Sequence, residues 1–153
     1  MVLSVNLTLS ECTKSATAKR LGLENNPTAE HLDNLVAIAQ NVFQPLREHF
    51  GVPIAVTSGY RSKELNTAIK GSRNSQHCKG QALDLDAHVF QRITNKLIYE
   101  YIKDNLEFDQ LIWEFGTDEE PDWVHVSFRK DGGNRKATLR ARRQGGKTTY
   151  QHI

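Results

Sequence analysis

Cysteine is scarce in this chain: Cys12 and Cys78 are the only two among 153 residues. They fall in segments with no evident reason to meet, which argues against a disulfide framework, so folding must rest on the core, with help from any bound metal. No window approaches the roughly 18 to 20 apolar residues of a membrane span. The opening Met1-Val-Leu-Ser-Val-Asn-Leu7 lacks both the basic start and the apolar core of a signal peptide. The expectation is synthesis in the cytoplasm without a signal peptide. Neither an internal repeat nor a low-complexity linker is present. What remains, 38% hydrophobic and 25% charged, suffices for one domain that buries most of its apolar surface, and is too short for two.

The formal net charge of +2 hides an asymmetry. Residues 1–128 carry 12 Lys or Arg against 17 Asp or Glu, and residues 129–153 carry 8 against 1. The body is therefore acidic and the end basic. The expected organisation is a catalytic domain over 1–128 and a basic, flexible tail over 129–153. A tail of this kind is suited to electrostatic attachment to anionic polymers or a lipid surface. Nucleic acid is a weaker expectation, because only Tyr150 interleaves with these charges.

A short helix is expected from a capping Ser10 to Gly22, carrying Leu21 and Leu23 onto the core. From Thr28, the positions Leu32, Leu35, Val36, Ala39, Val42, Phe43 and Leu46 fall on one helical stripe. That helix should end near Gly51, with a kink at Pro45. Ile54 to Thr57 reads as a strand, Ser62 to Ile69 as a short helix, Gln81 to Ala87 as a second strand, and Thr94 to Asn105 as a helix. Leu111 to Phe115 and Trp123 to Phe128 complete three or four strands. The fold class is α+β: a small antiparallel sheet packed against N-terminal helices.

Strand alternation sets the candidate site. Ala82, Asp84 and Asp86 share one face of their strand and Leu83 and Leu85 take the other, core-facing side. In the last strand Trp123, His125 and Ser127 oppose Val124, Val126 and Phe128. His77 precedes the Asp84 strand by a loop containing Gly80, which makes a reversal cheap and lets the imidazole fold back beside Asp84. Two imidazoles and one carboxylate, His77, Asp84 and His125, form the three-ligand shell of a catalytic zinc and leave its fourth position open. Cys78 is a conceivable soft ligand, but adjacent side chains of an extended segment diverge. Asp122 is the first candidate for a general base, provided a turn at Glu120-Pro121 re-aims it, since strict alternation would send it toward the valine face. Glu114 on the neighbouring strand is its rival. Arg61 follows a strand and a Ser-Gly turn, where a guanidinium can hold an oxyanion or a substrate carboxylate.

Ser75-x-His77-x-x-Gly80-x-Ala82-x-Asp84 together with Asp122-x-x-His125 resembles the family of D-alanyl-D-alanine carboxypeptidases and L-alanyl-D-glutamate endopeptidases. These are zinc peptidases of bacterial cell-wall peptides, related in fold to the hedgehog signalling domain. The resemblance covers roughly residues 28–128. It implies one Zn2+ per chain held by His77, Asp84 and His125, Asp122 as general base, Arg61 as the oxyanion- or substrate-binding arginine, and Ser75 as a substrate-binding residue. Several relatives use Glu where this chain has Asp122. Asn26-Pro27-Thr28 and the stretch Asp109 to Phe115 look most like the bacteriophage-type branch.

The expected activity is hydrolysis of an amide in peptidoglycan stem peptides, by a monomer acting after release from the cell or as part of a phage. Whether the cut is endo or carboxy-terminal stays open at this level, since fold kinship does not fix substrate. Two alternatives stand beside it: a non-catalytic, zinc-stabilised wall-binding module, and a DNA-associated phage protein led by the basic end.

Overall fold

The computed structural model describes all 153 residues. A small antiparallel pair, β1 (Val2–Ser4) and β2 (Leu7–Thr8), precedes two short helices, α1 (Leu9–Thr13) and α2 (Ala16–Leu21). The sequence suggested one helix here; two form because Thr8 and Ser15 each cap a separate start. Thr8 makes a reciprocal capping box with Glu11, and the Ser15 side chain accepts from the Ala18 amide. Leu21 does not reach the core and is 50% exposed.

The expected long helix runs as α3 (Ala29–Ile38), a π-helical segment Ala39–Phe43, and α4 (Gln44–Phe50). Pro45 lies in the first turn of α4. It lacks an amide proton and its ring crowds the carbonyl four residues back, so the ladder widens into a π turn just before it. The chain then leaves the helix at Gly51, in the left-handed region at φ 64°.

A six-stranded sheet follows, in the order β3-β4-β6-β5-β7-β8. Its strands are β3 (Ala55–Ser58), β4 (Ala82–Asp86), β5 (Gln110–Glu114), β6 (Trp123–Ser127), β7 (Ala137–Gln144) and β8 (Lys147–His152). Between them lie α5 (Lys63–Ala68), a 3-10 turn Gln76–Lys79, and α6 (Asn95–Asn105). All strand pairs are antiparallel except β5 with β7.

Only one face of this sheet is covered. Leu35, Ile38, Val42, Phe43 and Leu46 from α3–α4, with Ile98 and Ile102 from α6, pack with Leu83, Leu85, Leu111, Val124 and Val126 of the strands. Burial of each such side chain contributes about 1.5 to 3 kcal/mol. The opposite face bears the polar residues of the same strands. No helix is long and apolar enough to cross a membrane.

The basic end is ordered into the sheet, where the sequence suggested a flexible tail. Leu139 and Ala141 of β7 are buried against Ile112 of β5, so two apolar residues at a spacing of two suffice to seat the strand. Gly145 and Gly146 turn the chain with φ of 58° and 78°, the two-residue hairpin geometry that glycine adopts without strain. The crossing from β6 to β7 is tied down by Asp109, which is fully buried and accepts from Arg135 through its backbone amide, Nε and Nη2. Although burial acts to raise it, the Asp109 carboxyl lies below its ordinary range because Arg135 and Gln76 donate to it.

Candidate metal centre

His77 sits in the 3-10 turn, where the Ser75 hydroxyl accepts from its backbone amide at 3.2 Å. Gly80 ends that turn at φ 71°, and a Cβ there would come within 2.4 Å of the His31 carbonyl. Only glycine fits so close an approach. The turn is laced to the loop after β3: the Arg61 amide donates to the His77 carbonyl at 3.1 Å. The same loop supplies the Gly59 carbonyl, 2.7 Å from His77 Nδ1. A carbonyl can only accept, so Nδ1 carries the proton and the lone pair of the neutral imidazole is on Nε2.

Asp84 and His125 are paired directly across β4 and β6. His77 Nε2 lies 3.3 Å and His125 Nδ1 3.1 Å from Asp84 Oδ1. The three ligand atoms lie within 4.8 Å of one another. His77 Nε2 is buried, and although close to Asp84 it makes no hydrogen bond. A lone pair aimed at a carboxylate oxygen is unfavourable unless a cation stands between them, so the residues present fit a metal ion. Nε2 of His77, Nδ1 of His125 and a carboxylate oxygen of Asp84 are the donor set of a three-ligand zinc site, and the Gly59 carbonyl orients one imidazole from behind. Burial acts to raise the Asp84 carboxyl, but His77 and His125 beside it hold it well below the usual carboxylate range. A bound cation would act in the same direction.

The cluster opens into a cleft of about 780 Å³ on the uncovered face of the sheet. Ser75, Arg61 and Glu114 line it, while Asp122 does not. Asp122 is exposed at the start of β6. Its amide donates to the Glu114 carbonyl at 2.9 Å and its carbonyl accepts from Asn95 Nδ2 at 3.0 Å. The regular β5–β6 pairing ends at Glu114 and Trp123, and Asp122 lies just outside it, exposed and away from the lining of the cleft. Glu114 is 7% exposed on the cleft face. Burial raises its carboxyl to about 7, with His125 and Arg61 opposing the rise and Asp84 adding to it. Arg61 Nη1 donates to Asn66 Oδ1 at 3.0 Å, and its Nε is buried without a partner.

A model of the Peptidase M15 family matches residues 5–127. The chain belongs to that family. Within this M15 fold the matched span includes the whole His77–Asp84–His125 cluster and Glu114. Among curated proteins nothing matches the chain. Cys78, the alternative soft ligand, takes no part in the cluster, and both cysteines are free. The face assigned to Trp123 from the sequence is the cleft face, but sequence reasoning did not find Gln110, nor Arg143, Tyr150 and His152 of the last two strands. Their signal was the Gly145-Gly146 turn between alternating segments, which marks a hairpin.

Proposed function

We propose that this chain is a zinc peptidase that hydrolyses an amide bond in peptidoglycan stem peptides, with Glu114 as its general base. The observation that carries the reading is the convergence of an imidazole nitrogen without a hydrogen-bond partner, a second imidazole, a carboxylate and a protonatable glutamate in one cleft of an M15 fold. When bound, zinc supplies a Lewis acid for the scissile carbonyl and brings a water's pKa toward about 7.

Glu114 receives the proton of the attacking water on its carboxylate and passes it to the leaving amine. A carboxyl near pKa 7 is suited to both halves of that transfer at neutral pH. Arg61 contributes its guanidinium to the developing oxyanion or to a substrate carboxylate, held in position by Asn66. Ser75 shapes the turn that presents His77, and its place in the cleft supports a further contact with substrate. The stretches Asn26–Thr28 and Asp109–Phe115 favour a phage lytic enzyme as the setting.

Incubating the zinc-loaded protein with purified peptidoglycan and sequencing the new amino termini tests this reading. New termini at one stem-peptide bond are expected, and their identity distinguishes an endopeptidase from a carboxypeptidase. Stoichiometric zinc without cleavage of any wall type would replace the peptidase by a wall-binding module.

A further inference from the structure

Strands β7 and β8 lie beyond the family-matched span, yet they supply Leu139, Arg143, Thr148, Tyr150 and His152 to the lining of the cleft. Sheet register explains why. Asp84, His125, Ile112, Leu139 and His152 stand in one row across five strands, and Trp123, Glu114, Ala141 and Tyr150 stand in the next. Arg143, paired with Thr148, continues the same face one step further along β7. At roughly 4.8 Å per strand, Tyr150 is about 10 Å from Glu114 measured between backbones, a distance that a few residues of extended peptide cover. Between them lies an apolar shelf of Ile112, Leu139 and Ala141.

The arginines of β7 divide by face. Arg140 pairs with Asp118 at 2.8 Å and Arg142 bonds Gln151 at 3.1 Å, both on the side away from the cleft. Arg143 has no carboxylate partner; its guanidinium lies over the Phe115 ring at 5.0 Å. Stacking holds the guanidinium plane and leaves its edge N–H groups free for bidentate contact. The cleft as a whole is lined by six Lys or Arg, Arg143 among them, against only Asp84 and Glu114. Of these two acids, one is a proposed metal ligand and the other the proposed base.

We infer that Arg143, presented by the β7–β8 hairpin beside Tyr150, is a specificity-determining residue that binds a carboxylate of the substrate peptide, on the β7 side of the scissile bond. The inference rests on the peptidase reading above and adds to it the acidic character of the peptide. A charge-assisted, bidentate contact at a partly solvated site corresponds to roughly a tenfold preference.

The test uses zinc-loaded full-length protein and two probes: the pentapeptide L-Ala-γ-D-Glu-L-Lys-D-Ala-D-Ala, and the same peptide with carboxamides in place of its carboxylates. Hydrolysis is followed by mass spectrometry and binding by calorimetry. The wild type should favour the carboxylate peptide about tenfold in kcat/KM. Arg143→Gln should bring that ratio near one with kcat little changed, and Arg143→Lys should fall between. An unaltered preference in Arg143→Gln would overturn the inference. If the wild type cuts neither probe, the peptidase reading is decided on whole peptidoglycan as above, and calorimetry decides the hairpin's role. A carboxylate preference in binding that Arg143→Gln abolishes would sustain it; a preference that survives, or no binding of either probe, would refute it.

Discussion

The two faces of the central sheet are made by alternate residues of the same strands, and they obey opposite rules. On the helix side Leu83, Leu85, Val124 and Val126 are fully buried among other apolar side chains, with no polar atom to satisfy. On the cleft side Glu114 and His125 are buried and Asp84 is half-buried, and their charges and lone pairs face one another, His77 and Arg61 rather than water. One face therefore supplies stability and the other is held in place by it. A frame stable enough to tolerate a raised glutamate and an unpartnered imidazole nitrogen is what a metal-dependent hydrolase requires.

Breaking the comparison from the cleft side should produce the largest effect. His125→Ala removes a proposed ligand, and zinc content measured by plasma emission should fall below stoichiometric. Hydrolysis should drop by on the order of a thousandfold or more. The fold should survive, because the cleft face is not what packs the helices. On the helix side Leu83→Ala should do the reverse: a loss of about 2 to 5 kcal/mol in denaturant unfolding, with zinc still bound under native conditions.

A smaller effect, set by pH, sharpens the contrast. The Glu114 carboxyl of the metal-free protein is raised by burial to about 7 from an ordinary 4.5. The folded state therefore holds the proton more tightly than the unfolded chain. That stabilisation is fully present below about 4.5 and is lost as pH rises through about 7, by at most about 3 kcal/mol. Thermal unfolding of the metal-free wild type should lose more stability between pH 5 and 8 than Glu114→Gln, which cannot titrate. Adding zinc should narrow that difference, since a nearby cation favours the ionised carboxylate.

Where alternation was strong, the sequence was sufficient. Leu83 and Leu85 against Asp84, and Val124 and Val126 against His125, fall on the faces their spacing assigns. The helical stripe from Leu35 to Leu46 is likewise the core that covers the sheet. Asp122 was harder, because its placement depends on where the β5–β6 pairing stops. The carbonyls of Pro121 and Asp122 are held there by Asn95, which sits far away in sequence at the start of α6. Glu114 was readable as a rival base, but its burial comes from neighbouring strands. The hairpin was hidden by composition. Arg140, Arg142 and Arg143 surround only Leu139 and Ala141, and β8 is exposed throughout, so charge density masked a pattern of period two.

The most direct test of the central claim is a paired measurement of zinc content and peptidoglycan hydrolysis in wild type, Glu114→Gln and Asp122→Asn. Glu114→Gln should retain stoichiometric zinc and lose on the order of a hundredfold to ten-thousandfold in rate, while Asp122→Asn keeps both zinc and a near wild-type rate. Full activity in Glu114→Gln, with loss in Asp122→Asn, would contradict the assignment of the base to the cleft face.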